Sequence, residues 1–146
     1  DVFAYSPTTV ADTSAWEISS AVTSLVQFAR GSEITTIDFS HASCDLSGVT
    51  TCYVFGYQSK MTRFILHASS DLGACTNFGL FFPASGYATV VTADYDALLL
   101  RLQATNTNAS VTLYAGSSTY TGGGAVATAR AALITLGWTI TDGGIA

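Results

Sequence analysis

The strongest constraint on the fold is a 26-residue unit that occurs twice in succession, in residues 41–66 and 67–92. Its identical pairs are His41 and His67, Ala42 and Ala68, Ser43 and Ser69, Asp45 and Asp71, Leu46 and Leu72, Thr50 and Thr76, Phe55 and Phe81, and Ser59 and Ser85. The same unit recurs upstream at an offset of 27 residues, where Val22 aligns with Val49. Because a fixed period of this length is typical of repeat arrays, we expect neighbouring units to stack as rungs.

Each unit combines a segment with helical spacing and a segment with strand spacing. Residues 22–29 carry apolar side chains three and four positions apart, whereas residues 34–39 alternate apolar and polar side chains. The same order predicts short helical or 3₁₀ segments in residues 49–55 and 75–82, and strands in residues 61–66 and 87–92. These strands are parallel because they lie one period apart. The predicted inward positions are Ile37, Phe39, Phe64, Leu66, Val90 and Thr92. The sequence therefore predicts a short α/β solenoid with a parallel sheet on one face and short helices or 3₁₀ turns on the other.

The C-terminal third changes character and predicts a helix and strand cap. The expected elements are a helix in residues 95–104 with Asp94 as its N-cap, a strand in residues 111–114, a helix in residues 125–136 that ends at Gly137, and a strand in residues 138–141. Trp138 then covers apolar side chains that would otherwise face water at the end of the array.

We expect one domain over residues 1–146, because a chain of this length is typical of a single core. Within it, residues 1–21 form an entry cap or a partial rung, in which Trp16 covers the first unit. Residues 22–92 form three repeats, and residues 93–146 form the C-terminal rung and cap.

Charge is scarce, and this limits the partners that the chain can have. Only 10% of the residues are Asp, Glu, Lys or Arg, whereas ordinary soluble domains have about 25%. Such a surface fits a secreted or assembled protein. The five Lys and Arg residues are scattered and the net charge is −5, so we expect no nucleic-acid partner. No apolar run reaches the ~18 residues that a transmembrane helix needs, so we expect no membrane span.

The three cysteines, Cys44, Cys52 and Cys75, cannot all pair with one another, and their spacing matches no zinc or redox motif. In the repeat alignment Cys75 replaces Val49 and Cys52 aligns with Phe78, both apolar positions. This predicts buried free thiols that behave as small hydrophobic groups. One disulfide remains an open alternative.

The repeated residues His41, Asp45, His67 and Asp71 are the sharpest candidates for chemistry. On adjacent rungs, two imidazoles and two carboxylates could ligate a transition metal, with His41 and His67 as the candidate ligands. The favoured interpretation is a turn in which each Asp accepts hydrogen bonds from backbone amides, and we expect no metal or other cofactor. The chain also has no Gly-x-Ser-x-Gly motif and no phosphate-binding loop with its Lys. We therefore expect no enzymatic activity.

Outward strand positions offer a better candidate surface. On the three predicted strands these are Thr36, Asp38 and Ser40, then Arg63, Ile65 and His67, then Thr89, Val91 and Ala93, with Thr112, Tyr114, Thr139 and Thr141 expected to continue the same sheet. Among them, Asp38, Arg63, His67 and Tyr114 are the candidate residues that would bind a glycan or a protein. The alternative is an ordinary solvated face, rich in Thr because Thr favours strands.

The C-terminal segment resembles the closing segment of the BspA-like leucine-rich-repeat surface proteins. The matching residues are Tyr120, Arg130, Leu133, Gly137, Trp138, Thr139, Ile140, Thr141, Asp142, Gly143 and Gly144. The repeats follow the family's helix-then-strand rung of about 26 residues, although they lack its usual Met-Phe-x-x-Cys core and leucine-rich strands. The resemblance implies a leucine-rich-repeat-like α/β solenoid displayed outside the cell, and it implies no enzyme.

From the resemblance we expect an extracellular recognition or attachment module on a bacterial surface or a phage fibre. Its partner would be a host or cell-surface glycan or protein, bound through the strand face. The alternative is a structural or decorating subunit of a virion, such as a head or tail fibre, spike or capsid accessory protein, or of a surface assembly. Such a subunit would pack against copies of itself or against a shell or fibre protein.

Overall fold

The computed structural model describes residues 18–146. Its elements are β1 (Thr36–Phe39), β2 (Arg63–Leu66), β3 (Asn77–Phe78), α1 (Thr92–Thr105), β4 (Thr112–Tyr114), α2 (Gly124–Thr135) and β5 (Thr139–Thr141). The protein has a mixed α/β fold with small parallel sheets, as predicted. The proposed role of Trp16 lies outside the described residues.

Neighbouring units pair in parallel at the predicted spacing. In the sheet formed by β1 and β2, Ile37 lies opposite Phe64 and Phe39 opposite Leu66, in each case 27 residues apart. The inward side chains are buried because alternate residues of a strand point to opposite faces. Leu66 is the exception, since it is only partly buried against the core. The register predicted from the repeat is therefore confirmed.

Equivalent phenylalanines from three units stack on one another in the core. The ring centroids of Phe28 and Phe55 lie 5.2 Å apart with an interplanar angle of 2°, and those of Phe55 and Phe81 lie 4.9 Å apart at 24°. All three rings are buried. Identical side chains at one period thus occupy successive positions of a single aromatic stack, which is worth more than the buried area alone.

The backbone conformation also repeats. Gln27, Val54 and Leu80 have positive φ angles of 56°, 60° and 52°, and they lie one period apart. A left-handed conformation costs an L-residue roughly 1–2 kcal/mol, most of all a β-branched one such as Val54. Packing and hydrogen bonding between the units therefore impose this conformation against the local preference of the residues.

The segments predicted to be helical in residues 22–29 and 49–55 are turns, and in the described part of the chain the first helix begins at Thr92. The backbone N–H groups of Leu25, Gln27 and Ala29 donate to carbonyl groups of the next unit at 2.9, 3.1 and 2.8 Å. Because these donors are used between units, they cannot close the i to i−4 bonds of a helix. Of the two predicted forms, short helices are therefore wrong, whereas single turns closed by i to i−3 hydrogen bonds, such as those from Phe28 to Leu25 and from Phe55 to Cys52, are present. In the third unit, residues 77–78 form β3 instead.

The third predicted strand, residues 87–92, is also absent. The N–H group of Val91 donates to the carbonyl oxygen of Thr62 at 2.9 Å, but no ladder follows, and Thr92 begins α1. This helix packs against β2, where a third strand would lie. Val90 is still buried, as predicted for an inward position, whereas Thr92 is half-buried.

The C-terminal elements form a second sheet, in which β4 lies between β3 and β5. The predicted second helix and final strand are confirmed, and Gly137 has the positive φ of 95° typical of a helix end. Trp138 is buried, stacks on Phe78 with a centroid distance of 5.9 Å, and donates its indole N–H to the carbonyl oxygen of Asn108 at 2.8 Å.

Across residues 18–146 we find no helix with the length and apolar character to cross a bilayer.

Candidate functional site

The outward residues of β1 and β2 form one surface, which we call the strand face: Thr36, Asp38, Arg63, Ile65 and His67. The register places Thr36 beside Arg63 and Asp38 beside Ile65, and His67 follows the end of β2. All five side chains are half-buried or exposed. The structure therefore brings three of the four predicted binding residues together.

Tyr114 is the predicted residue that does not belong to this surface. It lies on β4, which pairs with β3 and β5 and not with β1 or β2, so the expectation of one continuous strand face is wrong. The helix α1 occupies the position through which the first sheet would have continued, and the C-terminal strands pair elsewhere as a result.

Asp94 holds the guanidinium group of Arg63. The Nε and Nη2 atoms of Arg63 donate to the two carboxylate oxygens of Asp94 at 2.7 and 3.2 Å, and the backbone N–H of Phe64 donates to Oδ2 at 2.9 Å. These hydrogen bonds and the charge of Asp94 raise the pKa of Arg63. Paired charge-assisted bonds fix the plane of a guanidinium group. Arg63 is thus a positioned cation on the strand face.

Asp94 was expected to cap α1, and this prediction is wrong. Val91 occupies the N-cap position and makes no side-chain cap bond, while Asp94 lies inside the first turn with its carboxylate directed to β2. Asp94 is also the site residue that sequence reasoning missed. No signal identified it, because Asp94 and Arg63 lie 31 residues apart and the repeat relates only positions one period apart.

Part of the Arg63 side chain remains available to a ligand. It is 46% exposed although Asp94 is only 9% exposed, and the guanidinium group has more N–H donors than the two that Asp94 engages. A side chain that is already held loses less conformational entropy when it binds. This geometry suits recognition of a hydroxyl, carbonyl or carboxylate oxygen.

Asp38 and His67 add complementary groups to the strand face. The Oδ1 atom of Asp38 accepts the N–H of Ser40 at 2.8 Å, and its negative charge contributes to the raised pKa of Arg63. The Nδ1 atom of His67 accepts the N–H of Ser69 at 3.2 Å. The same Nδ1 atom lies 2.7 Å from the hydroxyl oxygen of Ser69, so Nδ1 is engaged within the turn and Nε2 is the ring nitrogen that can contact a ligand. The surface offers a carboxylate acceptor, a cationic donor and an imidazole nitrogen.

The interpretation of the repeated His and Asp segment as a turn is confirmed. Oδ1 of Asp45 accepts the N–H of Ser47 at 2.9 Å, and Oδ1 of Asp71 accepts the N–H of Gly73 at 2.7 Å. Hydrogen bonds from Ser47 lower the pKa of Asp45. Each Asp therefore has one carboxylate oxygen committed to its own turn, as an Asx turn requires.

The two candidate metal ligands belong to the same turns. Nδ1 of His41 accepts the N–H of Ser43 at 3.3 Å, as Nδ1 of His67 does from Ser69. Within residues 18–146, no group of three or more His, Cys, Asp or Glu side chains is placed to hold a metal ion. A polar depression of about 210 Å³ between the turns is lined by Asp45 and Asp71 but not by either histidine.

These features define a mixed α/β repeat protein with a polar strand face. No protein family, curated protein or solved structure matches the chain. The resemblance to the BspA-like surface proteins thus remains a prediction from the C-terminal motif.

Proposed function

We propose that this chain is a leucine-rich-repeat-like solenoid that serves as a non-enzymatic recognition or attachment module outside the cell. It binds a glycan or protein of a bacterial or host surface through the strand face. The observation that supports this proposal is the exposed guanidinium group of Arg63, which Asp94 holds on the same surface as Asp38 and His67. The parallel register of the units and the BspA-like C-terminal motif support the solenoid and its display.

A glycan fits the chemistry of this surface. Sugar hydroxyl groups both donate and accept hydrogen bonds, and Asp38 offers an acceptor while Arg63 offers donors and His67 an imidazole nitrogen. Ile65 lies beside Asp38 on the neighbouring strand and is half-buried, so it provides a small apolar contact for the C–H face of a sugar ring. Ligand sites commonly combine such apolar contacts with a few placed polar groups.

The test is binding of the purified chain to an array of bacterial and host glycans. We expect the wild type to bind a subset of them, and Asp38→Ala or His67→Ala to weaken that binding about tenfold, which corresponds to about 1.4 kcal/mol for one lost polar contact. Lys60→Ala is the control, because it removes an exposed charge from the turn before β2. It should leave the affinity unchanged.

Two outcomes contradict recognition of a glycan through the strand face. One is an array on which the wild type binds nothing, and the other is a set of variants whose affinities equal that of the wild type. Circular dichroism of each variant shows whether the fold persists, so that a loss of binding can be assigned to the surface.

A second candidate function rests on α2. Of its twelve residues only Ala129 and Leu133 are buried, whereas Ile134 is 45% exposed, and Leu136, just after the helix, is 38% exposed. An apolar helix surface of this kind fits a structural or decorating subunit that packs against copies of itself or against a shell or fibre protein.

Sedimentation at micromolar concentration tests self-assembly through this helix. If α2 joins copies of the chain, the wild type forms a defined oligomer and Ile134→Glu dissociates it, since a carboxylate cannot enter an apolar interface without a partner. Thr135→Glu is the matched control, because Thr135 is the next residue of the same helix and is also exposed. A wild type that remains monomeric contradicts self-assembly.

A further inference from the structure

Two buried cysteines from different units lie against each other in the core. The backbone N–H of Cys52 donates to the carbonyl oxygen of Asn77 at 2.9 Å, and the sulfur of Cys75 lies 3.6 Å from that same oxygen. Their side chains are almost completely buried, at 2% and 0% exposed, and the interaction between the two thiols raises the pKa of Cys52 and lowers that of Cys75.

Cys44 occupies a different place. It lies in the turn after His41, where its N–H donates to the carbonyl oxygen of His41 at 3.0 Å and its backbone bridges to Ile18. The architecture therefore separates one cysteine from the other two, which the residue spacing left undecided.

We propose that Cys52 and Cys75 form an intramolecular disulfide when the chain folds under oxidising conditions. The bond would join the second unit to the third, beside the backbone bridge between Thr51 and Asn77. It would also close a loop in the unfolded chain and so reduce the number of unfolded conformations. This inference rests on the approach of both cysteines to the carbonyl oxygen of Asn77, and it holds whether or not the strand face binds a glycan.

The oxidant is a small disulfide such as oxidised glutathione. The thiolate of one of the two cysteines attacks it, forms a mixed disulfide and releases one small thiolate; the thiolate of the other cysteine then attacks the protein sulfur of the mixed disulfide and releases the second. Two protons leave the protein thiols, and two electrons reduce the small disulfide to two thiols. Because both cysteines are buried in the folded chain, the exchange takes place before the units close or during local opening.

The experiment refolds the reduced, denatured chain in buffer with reduced glutathione alone or with both reduced and oxidised glutathione. Thiols are then counted on the unfolded protein, and the intact mass is measured. We expect the count to fall from three, the number of cysteines in the chain, to one in the oxidising buffer, with the loss of two hydrogens from the mass and a higher melting temperature. Three remaining thiols, or a mass increased by bound glutathione, would overturn the proposal.

Variants identify the pair. Cys44→Ser should still lose two hydrogens in the oxidising buffer, whereas Cys52→Ser and Cys75→Ser should keep both of their thiols. A bridge that disappears in Cys44→Ser, or one that forms in Cys52→Ser, would show that Cys44 takes part and would overturn the assignment. The wild-type thiol count tests for a bridge without any variant, and a peptide map of the oxidised wild type identifies the bridged pair if a variant fails to fold; a map that places Cys44 in the bridge would overturn the assignment.

Discussion

At the scale of single residues, the repeat forces different side chains into the same backbone conformation. Gly31 and Gln58 are equivalent positions of successive units, and their φ angles are 62° and 61°. Glycine adopts this left-handed conformation without strain, whereas an L-residue such as Gln pays roughly 1–2 kcal/mol. Comparing the two positions therefore shows that the repeat architecture imposes a left-handed conformation even on a residue that disfavours it.

Exchanging the residue types at these positions should change stability in opposite directions. We expect Gly31→Ala to lower the free energy of unfolding by about 1 kcal/mol, because alanine is strained there. Gln58→Gly should raise it by up to about 1 kcal/mol, since relief of strain exceeds the entropic cost of glycine. Urea denaturation of both variants measures these changes. Equal and negligible effects would show that the backbone relaxes at these turns without strain.

At the scale of elements, the sequence predicted the contacts between residues that recur at the repeat period. Identical residues at one period, such as Phe28, Phe55 and Phe81, stack in the core because parallel neighbours share a register. The helix α2 and its end at Gly137 were also predictable, since local preference and the glycine signal agree there.

The features that were not predicted depend on contacts that the side-chain pattern of a single unit does not signal. Residues 22–29 have helical spacing, but their N–H groups bond to the next unit and no helix forms. The third strand is replaced by α1, whose Asp94 bonds to Arg63 and to the N–H of Phe64. Neither Asp94 nor Arg63 carries a local signal for this contact. The five residues of the strand face therefore follow from strand alternation, whereas Asp94, which positions Arg63, follows only from the three-dimensional arrangement.

At the scale of the whole molecule, one core joins the repeats to the C-terminal elements, running from Ile18 to Trp138. Tyr95 of α1 is fully buried in this core, and its hydroxyl donates to Asp142 at 2.8 Å. Arg130 of α2 donates to the same carboxylate at 2.8 and 3.1 Å. Both helices are thus tied to the chain that follows β5; separation of α2 leaves the buried Asp142 carboxylate without its cation, and separation of α1 removes the hydrogen bond from Tyr95.

This cluster should make the stability of the protein fall at alkaline pH. Burial, and then the negative charge of Asp142, raise the pKa of Tyr95 above its usual value of about 10. The unfolded chain therefore loses this proton at a lower pH than the folded chain does. The contribution of Tyr95 to stability is complete below about pH 10 and decreases above it, by about 1.4 kcal/mol per pH unit for one group.

Tyr95→Phe removes the ionisable group and should reduce this slope. We expect the difference in unfolding free energy between wild type and Tyr95→Phe to shrink as the pH rises above about 10, when both are measured by urea denaturation. Tyr87→Phe is the control, because Tyr87 is 49% exposed and lies outside the cluster of Tyr95, Arg130 and Asp142. If the two variants show the same pH dependence, Tyr95 ionises as readily in the folded protein as in the unfolded chain, and the cluster does not hold its proton.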